Sequence, residues 1–266
     1  MTAVVRPGKG PVAWDAGDAP GAARLVAEHR PALVVHAAAK SKPDPCEEDP
    51  AGTRAVNVAG TEALAAAAAR AGARFVFFSS DLVHDGRAAP YDDGARPAPL
   101  SEYGRQKVDA EAAVLAAGGD PVVLRLALCY GFAPPGALPT FNDRMRADLA
   151  AGRRVRVFTD QRRTAIWAED AAELVARLAA RPGLPDGRRL LNLCGPESPT
   201  RAELAEAFCA AFGFNPALLD RVEAAVAPAK APRPLDVSLI GVRLHAWTGF
   251  VPSAVREAMA RLALRA

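Results

Sequence analysis

The amino-acid sequence predicts an α/β protein with a doubly wound parallel sheet and a second, smaller domain. Short apolar runs alternate with Ala-rich helical patterns through the first half of the 266 residues, which is the order of strands and helices in such sheets. The apolar runs are continuous rather than alternating with polar residues, as expected for parallel strands that helices cover on both faces. The length suffices for one or two domains.

Three strands and three helices are predicted in the first half. The strands are predicted at Ala32–His36, Phe75–Phe78 and Val122–Leu126. The helices are predicted at Ala22–His29, Thr53–Arg70 and Glu102–Leu115. Gly72 follows the second helix at the position where glycine commonly ends a helix. Two stretches rich in polar residues, glycine or proline are predicted to be loops, Lys40–Asp49 and His84–Pro99.

The pattern changes after residue 131, where several prolines follow closely. We therefore predict that residues 1–133 form the sheet domain. Residues 134–266 should form mainly the smaller domain, with some segments returning to the sheet. In this second half, Leu190–Leu193 is predicted to be a strand, and Thr200 and Glu203 have the spacing of a capping box before a helix.

The composition argues against several classes of function. The 33 basic and 30 acidic residues leave a net charge of +3, which is too small to favour nucleic-acid binding. No apolar run reaches the roughly 18 residues that a membrane span needs. The four cysteines lack Cys-x-x-Cys spacing and the four histidines are scattered, so we expect unpaired thiols, no metal site and a cytoplasmic location.

A serine, a tyrosine and a lysine are predicted to meet at the carboxyl end of the sheet. Ser80 follows the strand Phe75–Phe78, and ligands of parallel sheets bind where the strands end. Tyr103 and Lys107 are one helical turn apart, so both side chains lie on one face of the predicted helix. The Lys107 ammonium would lower the pKa of the Tyr103 phenol, which could then give a proton to a carbonyl oxygen as a hydride arrives. Ser80 would bond the same oxygen. The alternative is a solvated helix face without function.

Segments spread over nearly the whole chain carry motifs of a known family. They are Val35–Ala39, Asn57–Thr61, Ser79–Val83, Pro99–Lys107, Leu124–Gly131, Asp160–Thr164 and Arg233–Leu239. Together they resemble, in order, the extended short-chain dehydrogenase/reductase superfamily. The closest resemblance is to the dTDP-4-dehydrorhamnose reductase group with its RmlD-like substrate-binding domain.

The resemblance implies a Rossmann-like cofactor domain, a C-terminal substrate-binding domain and a catalytic set of Ser80, Tyr103 and Lys107. The implied reaction is the NADPH-dependent reduction of a keto group on a nucleotide-activated 4-keto-6-deoxy sugar. NADP(H) is the implied cofactor, and NAD(H) stays open. Arg6 would receive the 2′-phosphate. The implied cofactor-binding residues are Arg6, Ala37, Ala38, Ala39, Asn57, Tyr103 and Lys107.

Three charged residues are implied in substrate binding. Asp44 falls in the loop where members of the group shape the sugar site. Arg163 and Arg233 carry guanidinium groups, which match the geometry of a diphosphate. A solvated acidic loop and structural or solvated arginines are the alternative interpretations. Leu128 stands where the resembled reductases usually have a tryptophan, so the sugar that this chain takes is left open.

The segment that normally opens this fold has no counterpart in the sequence. That segment is a buried strand followed by a Gly-x-x-Gly-x-x-Gly turn, whose backbone N–H groups hold the pyrophosphate of the dinucleotide. Thr2–Gly8 resembles the second strand of the family instead, so roughly 25 residues of the fold are missing. We expect a start assigned too far downstream rather than a real truncation, and a poor enzyme from the chain as it stands.

The sequence therefore predicts an NADPH-dependent sugar-nucleotide reductase from a truncated gene model. One alternative is a non-catalytic regulatory or binding protein with the NADP fold, because the group includes a regulatory subunit of methionine adenosyltransferase. Another is a sugar-nucleotide epimerase of the same superfamily. The expected partner is a nucleotide-sugar substrate, without nucleic acid or membrane, and a homodimer stays open.

Overall fold

A computed structural model describes residues 2–6, 9–227 and 229–265, with side chains described from Trp14 onward. The strands are β1 (Thr2–Arg6), β2 (Lys9–Trp14), β3 (Leu33–His36), β4 (Arg74–Ser80), β5 (Asp120–Leu126), β6 (Cys129–Tyr130), β7 (Val155–Phe158), β8 (Ile166–Trp167), β9 (Leu190–Leu193) and β10 (Leu219–Val222).

The α-helices are α1 (Ala19–His29), α2 (Pro43–Glu48), α3 (Pro50–Arg54), α4 (Thr61–Arg70), α5 (Glu102–Ala116), α6 (Phe141–Ala150), α7 (Ala168–Ala180), α8 (Arg201–Phe212), α9 (Val242–Thr248) and α10 (Val255–Ala263). A π-helical turn, Ala55–Gly60, joins α3 to α4. Among the described residues, no helix combines the length and the apolar character that crossing a membrane would require.

A parallel sheet with the strand order β3-β4-β5-β9 forms the centre of the fold. Side chains alternate along a strand, so Phe75 and Phe77 of β4 point to one face and Val76 points to the other. The first face packs against α1, α4 and α5, and the second against α7 and α9. Burial on both faces accounts for the continuous apolar runs and confirms the predicted parallel α/β sheet.

The second half of the chain contributes to the sheet and also builds a core of its own. β9, α7 and α9 pack on the central sheet. A separate cluster lies around Phe208 of α8 and Met259 of α10, beside the parallel pair β7 and β10. β9, α7 and α9 thus lie after residue 134 in the chain, whereas the division into two domains at residue 133 remains a prediction.

The stretch Lys40–Asp49 contains a helix, so the predicted loop is wrong. Pro43 occupies the first helical position of α2, where its fixed φ is favourable and its missing N–H costs nothing. Asp49 then caps α3, because its Oδ1 accepts a hydrogen bond of 2.9 Å from the Gly52 N–H. Proline and aspartate therefore start helices here rather than ending them.

The amino-terminal strand also differs from the expectation. β1 pairs antiparallel with β2 in a separate two-stranded sheet and does not join the parallel sheet. Strands separated by so short a connection pair as a hairpin, which only the antiparallel arrangement allows. Pro7 and Gly8, which connect them, lie outside the described residues. The predicted phosphate contact of Arg6 also falls there, because no side chain is described at that position.

β3 forms one edge of the parallel sheet as the described residues build it. The residues Leu33 and Val35 are 37% and 44% exposed, which is unusual for a strand of a doubly covered sheet. An edge strand also presents backbone N–H and C=O groups that another strand can pair with. The sheet is therefore open at β3.

A buried ion pair docks α5 against the ends of two strands. Arg125 of β5 donates to both carboxylate oxygens of Glu111 on α5, from Nε at 3.0 Å and from Nη2 at 2.9 Å. The two side chains are only 3% and 6% exposed. Ser79 of β4 donates to the same carboxylate at 2.5 Å, and Arg125 also donates to the Ala95 carbonyl at 2.9 Å. These contacts hold α5 across β4 and β5.

Replacing Arg125 with methionine should lower the free energy of unfolding by about 3–5 kcal/mol, because the Glu111 carboxylate would stay buried without its cation. Chemical denaturation measures this loss. Arg54→Met is a matched control, since Arg54 pairs at 2.5 Å with Asp109, also on α5, but the two side chains are 48% and 45% exposed. That variant should lose about 0–1 kcal/mol. Equal losses in the two variants would contradict the role given to the buried pair.

Candidate active site

Ser80 lies at the carboxyl end of β4 and turns the chain into the next segment. Its Oγ accepts a hydrogen bond of 3.1 Å from the Leu82 N–H and donates to Asp81 Oδ1 at 3.2 Å. Ser80 and Asp81 are both buried. The serine hydroxyl is therefore held at the strand end, as the sequence predicted.

The first turn of α5 is fixed by capping, and this places Tyr103. Ser101 Oγ accepts a hydrogen bond from the Gly104 N–H at 3.2 Å, and Glu47 Oε1 accepts one from the Glu102 N–H at 2.7 Å. A Cβ at Gly104 would lie 2.4 Å from the Leu82 carbonyl oxygen. Only glycine lets the helix come this close to the segment after Ser80.

Lys107 lies one turn further along α5 and is buried against β4. Its Nζ donates to the Phe78 carbonyl oxygen at 2.8 Å and lies 4.6 Å from the centre of the Phe77 ring. The same Nζ is 5.9 Å from the centre of the Tyr103 ring. Burial lowers the pKa of Lys107 to about 8, against the opposing influence of Glu111. The structure thus brings together the predicted serine, tyrosine and lysine.

The pKa of Tyr103 differs from the expectation. We expected the Lys107 ammonium to lower it, but burial raises it far above the ordinary value for a phenol. A hydrogen bond with Ser80 opposes this rise, and the charges of Asp81 and Cys46 add to it. The phenol is consequently protonated at neutral pH, which is the state of a proton donor.

A cavity of about 740 Å³ lies between the end of β4 and the second half of the chain, and Ser80, Tyr103 and Lys107 are not among the residues that line it. It reaches Asp81 and Leu82, directly after Ser80. Burial raises the pKa of the Asp81 carboxyl, and the Arg163 guanidinium, 3.7 Å away, partly opposes this. Leu128, at the position where the resembled reductases have a tryptophan, also lines the cavity.

The predicted substrate-binding residues lie at and behind the cavity wall. Arg163 and Arg233 both line the cavity. Asp44 does not, but its Oδ1 accepts hydrogen bonds from Arg233 Nη2 at 2.9 Å and from the Ala231 N–H at 3.0 Å. Asp44 therefore orients Arg233. The binding roles of all three residues remain predictions.

The predicted cofactor-binding residues lie at the same end of the sheet. Ala37, Ala38 and Ala39 follow β3 directly, with Ala37 exposed and the other two half-buried. Asn57 is buried, and its amide joins the Lys40 backbone to the side chain of Gln106 on α5. Its polar atoms are thus used within the protein, and Asn57 positions the alanine segment. Contact with a cofactor remains a prediction for all of these residues.

Sequence reasoning missed one charged residue of the cavity wall, Arg201. Its guanidinium stacks 4.6 Å from the centre of the Phe141 ring. Burial and the neighbouring charge of Arg163 together lower its pKa to about 10, against the opposing influence of Asp81. Arg201 is the first residue of α8, where a cation is unfavourable for the helix dipole. A basic residue at the first helical position, between Thr200 and Glu203 of the capping box, is the signal that the sequence offers for this residue.

Cation sites are not apparent in the part of the chain that the structure describes. No three side chains of histidine, cysteine, aspartate or glutamate lie close enough together there to hold a metal ion. The described cysteines Cys46, Cys129, Cys194 and Cys209 are unpaired thiols, as the sequence predicted.

Comparisons with known proteins identify the family. The model of the RmlD substrate binding domain matches residues 1–265. The dTDP-4-dehydrorhamnose reductase of Mycobacterium tuberculosis is 33% identical over 244 residues, which is 90% of this chain and 77% of that protein. The crystal structure of dTDP-4-dehydrorhamnose reductase from Bacillus anthracis in complex with NADP matches with a TM-score of 0.83 at 21% identity. The match covers 95% of this chain and 87% of that one, so the two proteins share a fold.

A second kind of relative is methionine adenosyltransferase 2 subunit beta. The protein from Rattus norvegicus is 31% identical over 194 residues, which is 71% of this chain and 57% of that protein. This chain spans less than two thirds of the length of such subunits. Because the family match extends over nearly all of its residues, this chain belongs to the RmlD substrate binding domain family.

Proposed function

We propose that this chain provides the proton-transfer and substrate-binding part of an NADPH-dependent reductase. The substrate would be a nucleotide-activated 4-keto-6-deoxy sugar. The observation that carries the proposal is the burial of Ser80, Tyr103 and Lys107 together, with Ser80 directly before Asp81, which lines a cavity of about 740 Å³ that arginines also line. The relative named dTDP-4-dehydrorhamnose reductase supports the substrate class, and the NADP in the Bacillus anthracis structure supports the cofactor.

Tyr103 acts as the proton donor in this proposal. Its raised pKa keeps the phenol protonated, so the hydroxyl can pass a proton to the oxygen of a keto group. Lys107, with a pKa of about 8, is still largely an ammonium at neutral pH and offsets the negative charge that the phenol acquires. Ser80 bonds the keto oxygen and orients it toward Tyr103.

The residues at this end of the sheet fit the nicotinamide end of a nicotinamide dinucleotide better than its phosphate end. Bound NADPH would supply the hydride, beside Ser80, Tyr103 and Lys107. The described residues contain no glycine-rich turn between a strand and a helix at this end of the sheet. The start of α1 is capped by Asp18, whose Oδ1 accepts a hydrogen bond from the Gly21 N–H at 2.9 Å, and this carboxylate would repel a phosphate.

A second candidate function is a non-catalytic binding subunit. Two observations favour it. The chain resembles methionine adenosyltransferase 2 subunit beta, and the edge of β3 is open with Leu33 and Val35 exposed. This function predicts one stoichiometric protein partner and no turnover of a keto sugar. A cytoplasmic location, a homodimer and epimerase activity stay predictions from the sequence.

Replacing Tyr103 with phenylalanine should lower the rate of NADPH oxidation with a dTDP-4-keto-6-deoxy sugar by about 10²- to 10⁴-fold, since the proton donor is removed and the ring stays. Tyr130→Phe is the matched control, because Tyr130 is as deeply buried and its hydroxyl has no described partner. That variant should keep its activity. Unchanged turnover in Tyr103→Phe would rule out the proton transfer, and a wild-type protein that captures one partner but reduces no keto sugar would favour the second candidate.

Lys107 should give the stability of the fold a characteristic pH dependence. Its pKa falls from 10.5 in the unfolded chain to about 8 in the folded protein, so between these values the unfolded chain holds a proton that the folded protein has released. The free energy of unfolding should therefore rise with pH between roughly 8 and 10, by up to about 1.4 kcal/mol per pH unit.

Denaturation of wild type and Lys107→Met across this range measures the effect. The variant should lack the rise, because methionine does not titrate. Lys230→Met is the control, since Lys230 is exposed and its ion pair with Glu48 raises its pKa above this window. Parallel profiles for wild type and Lys107→Met would show that burial does not lower the pKa of Lys107.

A further inference from the structure

The charges on the cavity wall are balanced to different degrees. Arg163 faces the Asp81 carboxylate at 3.7 Å and also donates to backbone carbonyl oxygens. Arg233 donates to Asp44 at 2.9 Å. The carboxylate of Asp160, also on the wall, accepts hydrogen bonds from the backbone N–H of Ala224 at 2.9 and 3.1 Å. The protein itself therefore already compensates both arginines that the sequence assigned to the substrate.

Arg201 differs from the other two arginines. Its Nη1 nitrogen is buried and has no hydrogen-bond partner among the described residues, and no described carboxylate pairs with it. The contact of its guanidinium with the Phe141 ring compensates only part of the cost of removing the charge from water. The positive charge of Arg163 disfavours the charged guanidinium further, and the Asp81 carboxylate opposes this without pairing with Arg201. A half-buried cation whose Nη1 is left without a partner attracts an anion.

The position of Arg201 in its helix leads to the same conclusion. α8 is 12 residues long, and its first turn is already capped by Thr200 and Glu203, each of which bonds the backbone of the other. Arg201 is therefore not needed to start the helix, and its charge opposes the helix dipole there. An anion in the cavity would compensate both the unpaired charge of Arg201 and its unfavourable position in the helix dipole, because it would face a guanidinium and a helix N-terminus together.

We propose that Arg201 is the main anion-binding residue of the cavity and holds the diphosphate of the nucleotide-activated substrate. The inference rests on the proposed function for the substrate class. A guanidinium offers two parallel N–H donors that match phosphate oxygens. The volume of about 740 Å³ is in the range of small-molecule sites, which extends from roughly 300 to 1,000 Å³. The field of Arg163 adds to the attraction without that residue leaving Asp81.

Calorimetric titration of the full chain with thymidine diphosphate, inorganic pyrophosphate and thymidine tests the proposal. Arg201→Met should weaken binding of thymidine diphosphate and pyrophosphate by about 10- to 100-fold and leave thymidine unaffected. Arg201→Lys keeps the charge but loses the two parallel N–H donors of the guanidinium, so its affinity should lie between those of wild type and Arg201→Met. Arg144→Met is the control, because Arg144 lines a neighbouring cavity that Arg201 also borders, but not the main one.

Thermal unfolding separates binding from a structural role. Without ligand, Arg201→Met should be at least as stable as wild type, since it removes a buried cation that lacks a partner, and thymidine diphosphate should no longer raise its Tm. Wild-type affinity for thymidine diphosphate in Arg201→Met would overturn the proposal. A lowered Tm with unchanged binding of thymidine diphosphate would also overturn it. A loss of affinity confined to NADP would overturn it as well, because it would assign Arg201 to the cofactor.

The same titrations distinguish this proposal from the proposed reductase. Tyr103→Phe should bind thymidine diphosphate like wild type, because the phenol hydroxyl takes no part in anion binding. If binding depends on Arg201 while wild type reduces no keto sugar, the anion site stands and the reductase fails. If wild type reduces the keto sugar and Arg201→Met has the same KM, the reductase stands and the anion site fails. Absence of thymidine diphosphate binding in wild type would also overturn the anion site.

Discussion

The buried ion pair between Glu111 and Arg125 is the interaction on which the rest of the site depends. It fixes α5 across the ends of β4 and β5, with Ser79 as a third partner. Lys107 lies one turn before Glu111, and Tyr103 lies one turn before Lys107. The positions of the Tyr103 phenol and of the neighbouring Lys107 ammonium therefore follow from the docking of one helix. Because both charges of the pair are desolvated, the geometry tolerates little displacement without a large loss of stability.

Burial also sets the protonation states that the chemistry requires. It raises the pKa of Tyr103 and lowers that of Lys107 to about 8, so at neutral pH the phenol keeps its proton and the lysine is still largely an ammonium. Both changes oppose the formation of charge in the folded protein. In the proposed reductase, the phenol would release its proton only when a keto oxygen is there to accept it.

The sequence pattern predicted those features of the fold that depend on residues close together in the chain. The apolar run at Phe75–Phe78 specified a strand covered on both faces, and the turn from Tyr103 to Lys107 specified a shared helix face. The sequence could not show contacts between distant segments, such as Arg233 with Asp44, nor which arginine would lack a partner. The helix at Pro43–Glu48 was missed for a different reason, because proline at a first helical position looks like a loop residue when its neighbours are polar.

The proposed proton-transfer residues and the wall of the cavity come from different parts of the chain. Ser80, Tyr103 and Lys107 come from the first half, on the end of β4 and on α5. Most of the cavity wall comes from the second half, including Leu128 and Arg201. Substitutions on that wall can change the shape and charge offered to a ligand without moving the proton-transfer groups. Leucine at 128 offers no ring to stack on a sugar, whereas Arg201 on the same wall carries a charge that no described carboxylate pairs with.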